Sequence, residues 1–281
     1  MSTILIVEDD RMTRHVLQSV LNGAGYSTRV ASDGVEALEA LQADHFDLVL
    51  LDVWMPRMNG LELLAQLRAH KARPRVVVMT SDDAPETLLK AVREQAFKYV
   101  HKPVQPAELL ETVRTVLASP ELMPIEVISA KPDWVELVVP CTLEAAERIQ
   151  PVMAELDAKL PVEVRDSTAY AFRELLLNAI EWGGRLDPNR TVRISCLRTE
   201  RMLLYRIADP GPGFNIDDLP HAAISYPDEP VAHMQVRMDK GLRPGGFGLM
   251  TVRATVDELI YNEKRNEVVF VKYLTEEKGG P

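Results

Sequence analysis

The sequence predicts two domains of the α/β class: a doubly wound, five-stranded parallel sheet, then an α+β layer with a mixed, mostly antiparallel sheet. Three observations support this prediction. Short apolar runs alternate five times with amphipathic stretches over residues 1–118, as in parallel sheets with crossover helices. Three prolines interrupt residues 119–133, which show no clear period and are therefore interpreted as a linker. Residues 134–281 place two long helical patterns ahead of paired strand patterns, an order typical of antiparallel sheets.

The first domain alternates predicted strands and helices in a regular order. The predicted strands are Ile4–Val7, Ser27–Ala31, Asp47–Leu51, Arg75–Thr80 and Phe97–Val100. The helical patterns that follow them are Met12–Ala24, Gly34–Ala43, Leu61–Ala69, Ala84–Gln95 and Pro106–Leu117. The third and fourth strands are apolar over most of their length, which indicates burial on both faces of the sheet.

The second domain has a different order of elements. A predicted strand at Trp134–Val139 precedes helical patterns at Leu143–Leu160 and Val162–Trp182. The remaining patterns are a hairpin of Thr191–Arg198 with Met202–Ala208, a helix from Gly248 to Thr255, and a hairpin of Glu258–Asn262 with Glu267–Leu274. Strands joined by short turns predict an antiparallel sheet, with the helices layered against it.

Composition and charge exclude several classes of protein. The net charge of −10 over 281 residues argues against direct binding to nucleic acid or to anionic lipid, since both depend on lysine and arginine. No apolar run approaches the ~18 residues of a membrane helix, and the acidic N-terminus is unlike an export signal. Cys141 and Cys196 are too few for a disulfide framework. We therefore expect a cytoplasmic protein.

Three carboxylates of the first domain stand where predicted strands end. Glu8 and Asp9 follow the first strand, and Asp52 follows the third. The carboxyl ends of parallel strands form the ligand crevice of such sheets, so these side chains are expected to converge. Mg²⁺ prefers oxygen ligands of this kind, and an aspartate can also accept a phosphoryl group. Thr80 and Lys102 end the fourth and fifth strands and could contact phosphoryl oxygens. Acidic strand ends can also be plain solvated termini.

These residues resemble the receiver domains of response regulators, and the resemblance covers residues 1–118. The matching segments are Ile6–Asp10, Leu50–Pro56 with Gly60, Thr80-Ser81, Tyr99 and Lys102-Pro103. The resemblance implies that Asp52 is the phosphorylated residue, and that Lys102 binds the phosphoryl group. It also implies that Glu8, Asp9, Asp52 and the carbonyl of Trp54 hold Mg²⁺, that Thr80 and Tyr99 form the switch pair, and that the bond before Pro103 is cis.

Three motifs of the second domain have both a structural and a functional interpretation. Glu174, Asn178 and Glu181 interrupt an apolar helix at a spacing that places them on one face, either as a solvated face or as a cation site. Asp209–Gly213 could be an ordinary proline and glycine turn, or a turn that approaches a ligand closely. The glycines of Arg243–Leu249 precede a helix and could expose N–H groups to phosphates.

Together the three motifs resemble the GHKL ATP-binding superfamily over residues 134–275. Glu174–Glu181 resembles its N box, Asp209–Gly213 its G1 box and Gly245–Gly248 its G2 box. The resemblance implies that Asn178 ligates Mg²⁺ and that residues 215–244 form an ATP lid. It further assigns the nucleotide contacts: Asp209 accepts from the adenine amino group, Gly211 and Gly213 permit close approach, and Gly246 and Gly248 wrap the phosphates.

The type of GHKL protein is predicted from the histidines and from the N box. The histidines are His15, His45, His70, His101, His221 and His233. None lies on the helix Leu143–Leu160, which argues against histidine autophosphorylation. The N box ending Asn178–Gly183 resembles the anti-sigma-factor serine/threonine kinases of bacterial partner switching, although Trp182 stands where a histidine is common. This resemblance implies that Glu174 is the general base and that the protein is a homodimer.

The combined resemblances predict a two-component response regulator with an enzymatic output. An upstream histidine kinase would phosphorylate Asp52, which would control an ATP-dependent serine/threonine protein kinase acting on a STAS-domain antagonist. The alternative is a domain that binds ATP but catalyses little, and that sequesters a sigma factor or another partner. A phosphate sink that uses only the first domain would leave the three motifs of the second domain unexplained.

Overall fold

The computed structural model describes residues 2–67, 74–81, 84–119, 123–131, 133–214, 234 and 247–274. The chain divides into two compact units, Met1–Leu122 and Met123–Pro281. Among the described residues, no helix combines the length and the apolar character that a membrane span requires.

The first unit is the predicted doubly wound domain. Its strands are β1 (Thr3–Val7), β2 (Ser27–Ala31), β3 (Leu48–Asp52), β4 (Arg75–Thr80) and β5 (Lys98–His101). Its helices are α1 (Arg11–Gly23), α2 (Gly34–Ala43), α3 (Gly60–Leu67), α4 (Pro85–Arg93) and α5 (Pro106–Ala118). The strands are parallel, in the order β2-β1-β3-β4-β5, and the fold-class prediction is confirmed.

Alternation along the strands divides the core of this unit into two clusters. Leu5 and Val7 of β1 lie in one cluster, whereas Ile4 and Ile6 lie in the other. Since successive side chains of a strand point to opposite faces, the two clusters occupy the two faces of the sheet. Helices pack on both faces and bury the central strands β1, β3 and β4, and the carboxyl ends of the parallel strands lie at one edge of the sheet.

Side chains at the helix ends explain where several helices begin. Asp10 caps α1 by accepting a hydrogen bond of 2.7 Å from the backbone N–H of Thr13, and Asp33 caps α2 in the same way. Pro106 occupies the first turn of α5, where its missing N–H has no helical partner to lose. These residues favour the observed starting points of α1, α2 and α5.

The second unit is an α+β layer. Its strands are β6 (Glu126–Lys131), β7 (Trp134–Pro140), β8 (Thr191–Arg198), β9 (Met202–Ala208), β10 (Glu258–Tyr261) and β11 (Glu267–Tyr273). Its helices are α6 (Leu143–Leu156), α7 (Val162–Asn178) and α8 (Gly248–Thr255), and a π-helical turn at Ala179–Gly183 continues α7. All strand pairs are antiparallel, in the order β10-β11-β9-β8-β7-β6.

Aromatic side chains join the central helix of this unit to its sheet. The rings of Tyr205 and Phe270 stack with centroids 4.9 Å apart, and Phe172 of α7 contacts Tyr205 at 5.5 Å. Helix α7 also packs against α6 and α8. The arrangement holds α7, with its N-box residues, in a fixed position over β9 and β11.

The structure differs from the sequence prediction at two places. The range 119–133, predicted as a linker, contains strand β6, which pairs with β7; the prolines precede and follow this strand and do not interrupt it. The predicted helix Val162–Trp182 is α-helical only to Asn178 and then widens into the π-helical turn. Neither feature has a periodic signature in the sequence.

Candidate functional site

The carboxyl edge of the parallel sheet brings the three predicted acids together. Strands β1 and β3 are direct neighbours, so Glu8 and Asp9 after β1 lie beside Asp52 at the end of β3. Oxygen atoms of the three carboxylates lie within 4.8 Å of one another. Glu8 and Asp52 are buried, with exposed fractions of 2% and 5%, whereas Asp9 is exposed. The cluster is therefore open to solvent on the side of Asp9.

Lys102 links the two buried carboxylates. Its Nζ atom lies 2.7 Å from Oε2 of Glu8 and 2.9 Å from Oδ1 of Asp52. Burial raises the pKa of both carboxyl groups, against the opposing effect of the Lys102 ammonium group. Burial would lower the pKa of Lys102, but its bonds to the two carboxylates outweigh this effect and raise it. Lys102 therefore offsets part of the cost of burying the two carboxylates.

Thr80 and Tyr99 lie on neighbouring strands and share a face of the sheet. Residue Val78 of β4 pairs with Tyr99 of β5, and Thr80 pairs with His101. Because side chains alternate along a strand, Thr80 and Tyr99 project from the same face. Thr80 is fully buried, and Tyr99 is half-buried against the apolar cluster of that face.

The loop after Asp52 is held by contacts that the sequence analysis did not identify. The half-exposed Arg57 forms an ion pair with the buried carboxylate of Asp33, the cap of α2. At Gly60, a β-carbon would overlap the backbone carbonyl of Asp52. Trp54 lies in this loop and is 57% exposed. The Arg57 backbone has a φ of 62°, which no local motif indicates.

In the second unit, Glu174 lies at the beginning of α8. A β-carbon on Gly248, the first residue of α8, would overlap Oε2 of Glu174. The free N–H groups of a helix N-terminus favour negative charge. Asn178 follows Glu174 by one helical turn, and both side chains are half-buried. Glycine at residue 248 thus allows α7 and α8 to approach closely where the N box and the G2 box meet.

The π-helical turn connects the N box with the G1 motif. The Gly184 N–H donates to the Ala179 carbonyl at 2.8 Å, a spacing of five residues that defines this wider turn. The turn brings Gly183 against Asp209, so that a β-carbon on Gly183 would overlap the Asp209 carboxylate. Short π-helical segments within helices are frequent at functional sites.

Asp209 organises the turn that follows β9. Its Oδ1 atom accepts a hydrogen bond of 2.7 Å from the Gly211 N–H. Burial raises the pKa of the Asp209 carboxyl group, while this bond and the nearby Arg190 lower it. Gly213 has a φ of 84°, and a β-carbon there would overlap the Lys264 carbonyl. The turn therefore needs glycine both for its conformation and for its contact with the β10–β11 hairpin.

Asn266 of that hairpin holds the G1 turn from the other side. Its Nδ2 atom donates to the carbonyls of Gly211 at 3.2 Å and Asp209 at 3.4 Å, and its own carbonyl accepts from the Asp209 N–H at 2.9 Å. Arg190 adds a bond of 2.6 Å to the Pro210 carbonyl. Sequence analysis identified neither Asn266 nor Arg190, because both act through contacts distant in the chain.

Two predicted features lie outside the described residues. These are Gly246 of the G2 motif and the lid range 215–244, of which the structure describes Met234 alone.

Comparisons with known proteins agree with this division of the chain. Residues 4–114 match the model of the response regulator receiver domain, and residues 139–272 match that of the histidine kinase-like ATPase domain. The DNA-binding response regulator MtrA of Mycolicibacterium smegmatis is 35% identical over 183 residues, which cover 65% of this chain and 78% of that protein. The chain belongs to the response-regulator family. The response regulator MprA of Mycobacterium ulcerans is 39% identical over 42% of this chain and 51% of its own. Among solved structures, Vibrio cholerae CheY4 has 31% identity and a TM-score of 0.40, over 41% of this chain and 98% of that chain.

The donor set of this response regulator fits a divalent cation in the first unit. Three carboxylates and one ammonium group leave a formal excess of two negative charges at the carboxyl edge of the sheet. All the available ligand atoms are oxygens, as Mg²⁺ requires. Glu8, Asp9 and Asp52 are the residues that would hold the ion.

The second unit of the response regulator has features that suit a nucleotide. The half-buried Asp209 lies beside a turn with two glycines, and glycine allows a ligand to approach the backbone closely. The match to an ATPase domain and this geometry both indicate ATP binding. Asn178 supplies an amide oxygen one turn after Glu174, a donor that suits a magnesium ion bound with the phosphates.

Proposed function

We propose that phosphorylation of Asp52 by an upstream histidine kinase controls an ATP-dependent serine/threonine protein kinase in the second unit. Its substrate would be a STAS-domain antagonist of a partner-switching pathway, and the protein would act as a homodimer. The observation that carries the proposal is the position of Glu174: one turn before Asn178, and in contact with the first residue of α8. In this proposal, a carboxylate at that position would reach a hydroxyl group presented to the γ-phosphate.

At the first site, an Asp52 oxygen would form a bond to phosphorus as the phosphorus–nitrogen bond of the donor histidine breaks. The Lys102 ammonium group, which already contacts Asp52, would neutralise charge on the phosphoryl oxygens. A bound magnesium ion would supply further neutralisation of that charge. Thr80 and Tyr99 would then adopt a second arrangement, which fits the output unit differently.

At the second site, Glu174 would accept the proton of the substrate hydroxyl as that oxygen attacks the γ-phosphorus and ADP leaves. Such general-base catalysis contributes typically 10²–10⁴-fold to the rate, and positioning of the phosphates contributes most of the remainder. Asn178 would hold the magnesium ion, Asp209 would bind adenine, and Gly246 and Gly248 would contact the phosphates. The Glu174 side chain is half-buried, which suits a base that meets an external substrate.

DNA binding, which is named for MtrA, is not part of this proposal. Residues 139–272 match an ATPase domain, and the net charge of −10 opposes binding to a phosphate backbone.

The test uses the full chain, γ-labelled ATP and a lysate of the source organism, with and without beryllofluoride to mimic phosphorylated Asp52. We expect acid-stable label on a small protein, in an amount that beryllofluoride changes. Glu174→Gln should reduce transfer by at least about a hundredfold while ATP binding persists. Glu163→Gln is the matched control, because Glu163 lies on the same helix and is exposed.

The outcome that contradicts the kinase is tight ATP binding without transfer, or transfer that survives Glu174→Gln. Either result would favour the alternative, a nucleotide-dependent domain that sequesters a sigma factor or another partner. Label that is lost in acid would instead indicate a phosphorylated histidine or aspartate.

A further inference from the structure

A cavity of about 470 Å³ lies between α6 and α7, on the helical side of the second unit. Its volume is within the range of small-molecule sites. The apolar part of its wall comprises Pro151, Met153, Ala154, Ala169, Phe172 and the ring of Tyr205. The nucleotide-site residues Glu174, Asn178 and Asp209 do not line it, so it is a separate feature of the fold.

Two residues that line this cavity each have a buried side-chain oxygen without a partner among the described residues. Asp157 and Thr168 are 3% and 1% exposed, and neither Oδ1 of Asp157 nor Oγ1 of Thr168 makes a hydrogen bond within the described chain. The second Asp157 oxygen accepts a hydrogen bond of 2.8 Å from the Tyr205 hydroxyl. Buried polar side chains nearly always have partners, so two exceptions in one cavity wall require an explanation.

The side chains of the same wall carry more negative than positive charge. Pro151 lies inside α6 and lacks the N–H that the Glu147 carbonyl would otherwise bond, and both residues line the cavity. Glu147 and Asp157 contribute carboxylates, whereas Arg173 is the single basic residue of the described lining and is exposed. A ligand that donates hydrogen bonds would satisfy this wall.

We propose that the cavity binds a small organic cation, an aliphatic or aromatic amine. Its ammonium group would donate to Asp157 and Thr168, and its apolar part would contact Met153 and Phe172. Ammonium groups form short, strong hydrogen bonds to carboxylates, and aromatic ring faces such as that of Phe172 also attract cations. Burial raises the pKa of Asp157 to about 6, so this carboxyl group is mostly ionised at neutral pH and carries the charge that an ammonium group complements.

The first experiment follows methyl resonances of the full chain, labelled at alanine, methionine and threonine. Phenethylamine is the probe, with 2-phenylethanol as a neutral match and phenylacetate as an anionic one. We expect phenethylamine to shift the methyl signals of Met153, Ala154 and Thr168, and to bind about tenfold or more tightly than the alcohol, as for a hydrogen bond to a charged group. Phenylacetate should leave these signals unchanged.

Two isosteric variants test the polar contacts. Asp157→Asn and Thr168→Val should each weaken phenethylamine binding, the former by about tenfold. Asp166→Asn is the control, because Asp166 is an exposed acid on α7, the helix that also carries Thr168. Equal binding of amine and alcohol, or amine binding that both variants leave intact, would show only an apolar crevice and overturn the proposal. Absence of any shift with phenethylamine would overturn it as well, and the methyl spectra themselves show whether each variant is folded.

Discussion

Replacement of Lys102 by methionine separates the charge of this residue from its bulk. In the native chain its ammonium group lies 2.7 Å from Glu8 and 2.9 Å from Asp52. Removal of one partner from a buried ion pair typically costs 3–5 kcal/mol. Here the two carboxyl groups have raised pKa values and can take up protons when the ammonium group is removed. We therefore expect the free energy of unfolding, measured in EDTA, to fall by an amount near the lower limit, about 3 kcal/mol.

Magnesium should reverse much of this loss. Without the ammonium group, the ion meets three carboxylates, and the remaining nearby cation among the described residues is Arg14, which bonds the backbone carbonyls of Glu8 and Asp9 and not the carboxylates. The repulsion between the Lys102 ammonium group and Mg²⁺, at a separation of a few ångströms, is at least about 1.4 kcal/mol. Its removal corresponds to about tenfold tighter Mg²⁺ binding. Lys102→Met should therefore bind Mg²⁺ more tightly than the native chain at about pH 8, where proton competition for the carboxylates is weakest, even though it is less stable without the ion.

Trp54 provides the assay, because it lies two residues after Asp52 and is 57% exposed. In a background of Trp134→Phe and Trp182→Phe it is the remaining tryptophan of the three in the chain. Its fluorescence would report both urea unfolding and Mg²⁺ titration of the first unit. Lys90→Met is the control, since Lys90 is exposed on α4. Equal Mg²⁺ affinity in the Lys102 variant and the native chain would refute the argument that these carboxylates form the cation site.

Three further predictions concern the second unit. Gly213→Ala should destabilise the second unit by at least about 2 kcal/mol, since alanine at a positive φ costs 1–2 kcal/mol and its β-carbon would displace the Lys264 carbonyl. Urea unfolding would measure this loss, and an unchanged unfolding midpoint would contradict the prediction. Asn266→Ala should weaken ATP binding about tenfold, because the Asn266 side chain would no longer bond to the G1 turn. Displacement of a fluorescent nucleotide would measure the affinity. An affinity equal to that of the native chain would show that Asn266 does not support the nucleotide site. Burial raises the pKa of Asp157 from 3.8 to about 6, so the folded state binds this proton more tightly than the unfolded state does. The contribution of this proton to the free energy of unfolding is fully present below about pH 4 and is lost as the pH rises through about 6. Asp157→Asn should therefore gain up to about 3 kcal/mol relative to the native chain between about pH 4 and pH 8, and parallel pH profiles of unfolding would contradict this account.

The features that the sequence predicted are those set by local pattern. Alternating strands and helices predicted the parallel sheet, and the carboxyl edge of such a sheet was expected to gather Glu8 and Asp52. The structure adds the strand order that makes β1 and β3 neighbours. The antiparallel hairpins of the second unit have a similarly local origin. Adjacent strands with short turns can be recognised without knowledge of any distant contact.

The features that the sequence did not predict depend on partners far along the chain. Strand β6 is stabilised by pairing with β7, and its own six residues carry no clear alternation. The Asp33–Arg57 ion pair and the Asn266 contacts join segments separated by 24 and more than 50 residues. The π-helical turn resembles an ordinary helix in composition, and only the requirement that Gly183 reach Asp209 distinguishes it.

The order of strands in the second sheet has a consequence for synthesis of the protein. Strand β11 lies between β9 and β10, and the turn before it supplies Asn266 to the Asp209 backbone. A nascent chain that ends before residue 262 has all three residues Glu174, Asn178 and Asp209, yet its G1 turn lacks the hairpin that holds it, and β9 is left as an open edge. ATP binding is therefore expected only after the β10–β11 hairpin has been synthesised and β11 has paired with β9.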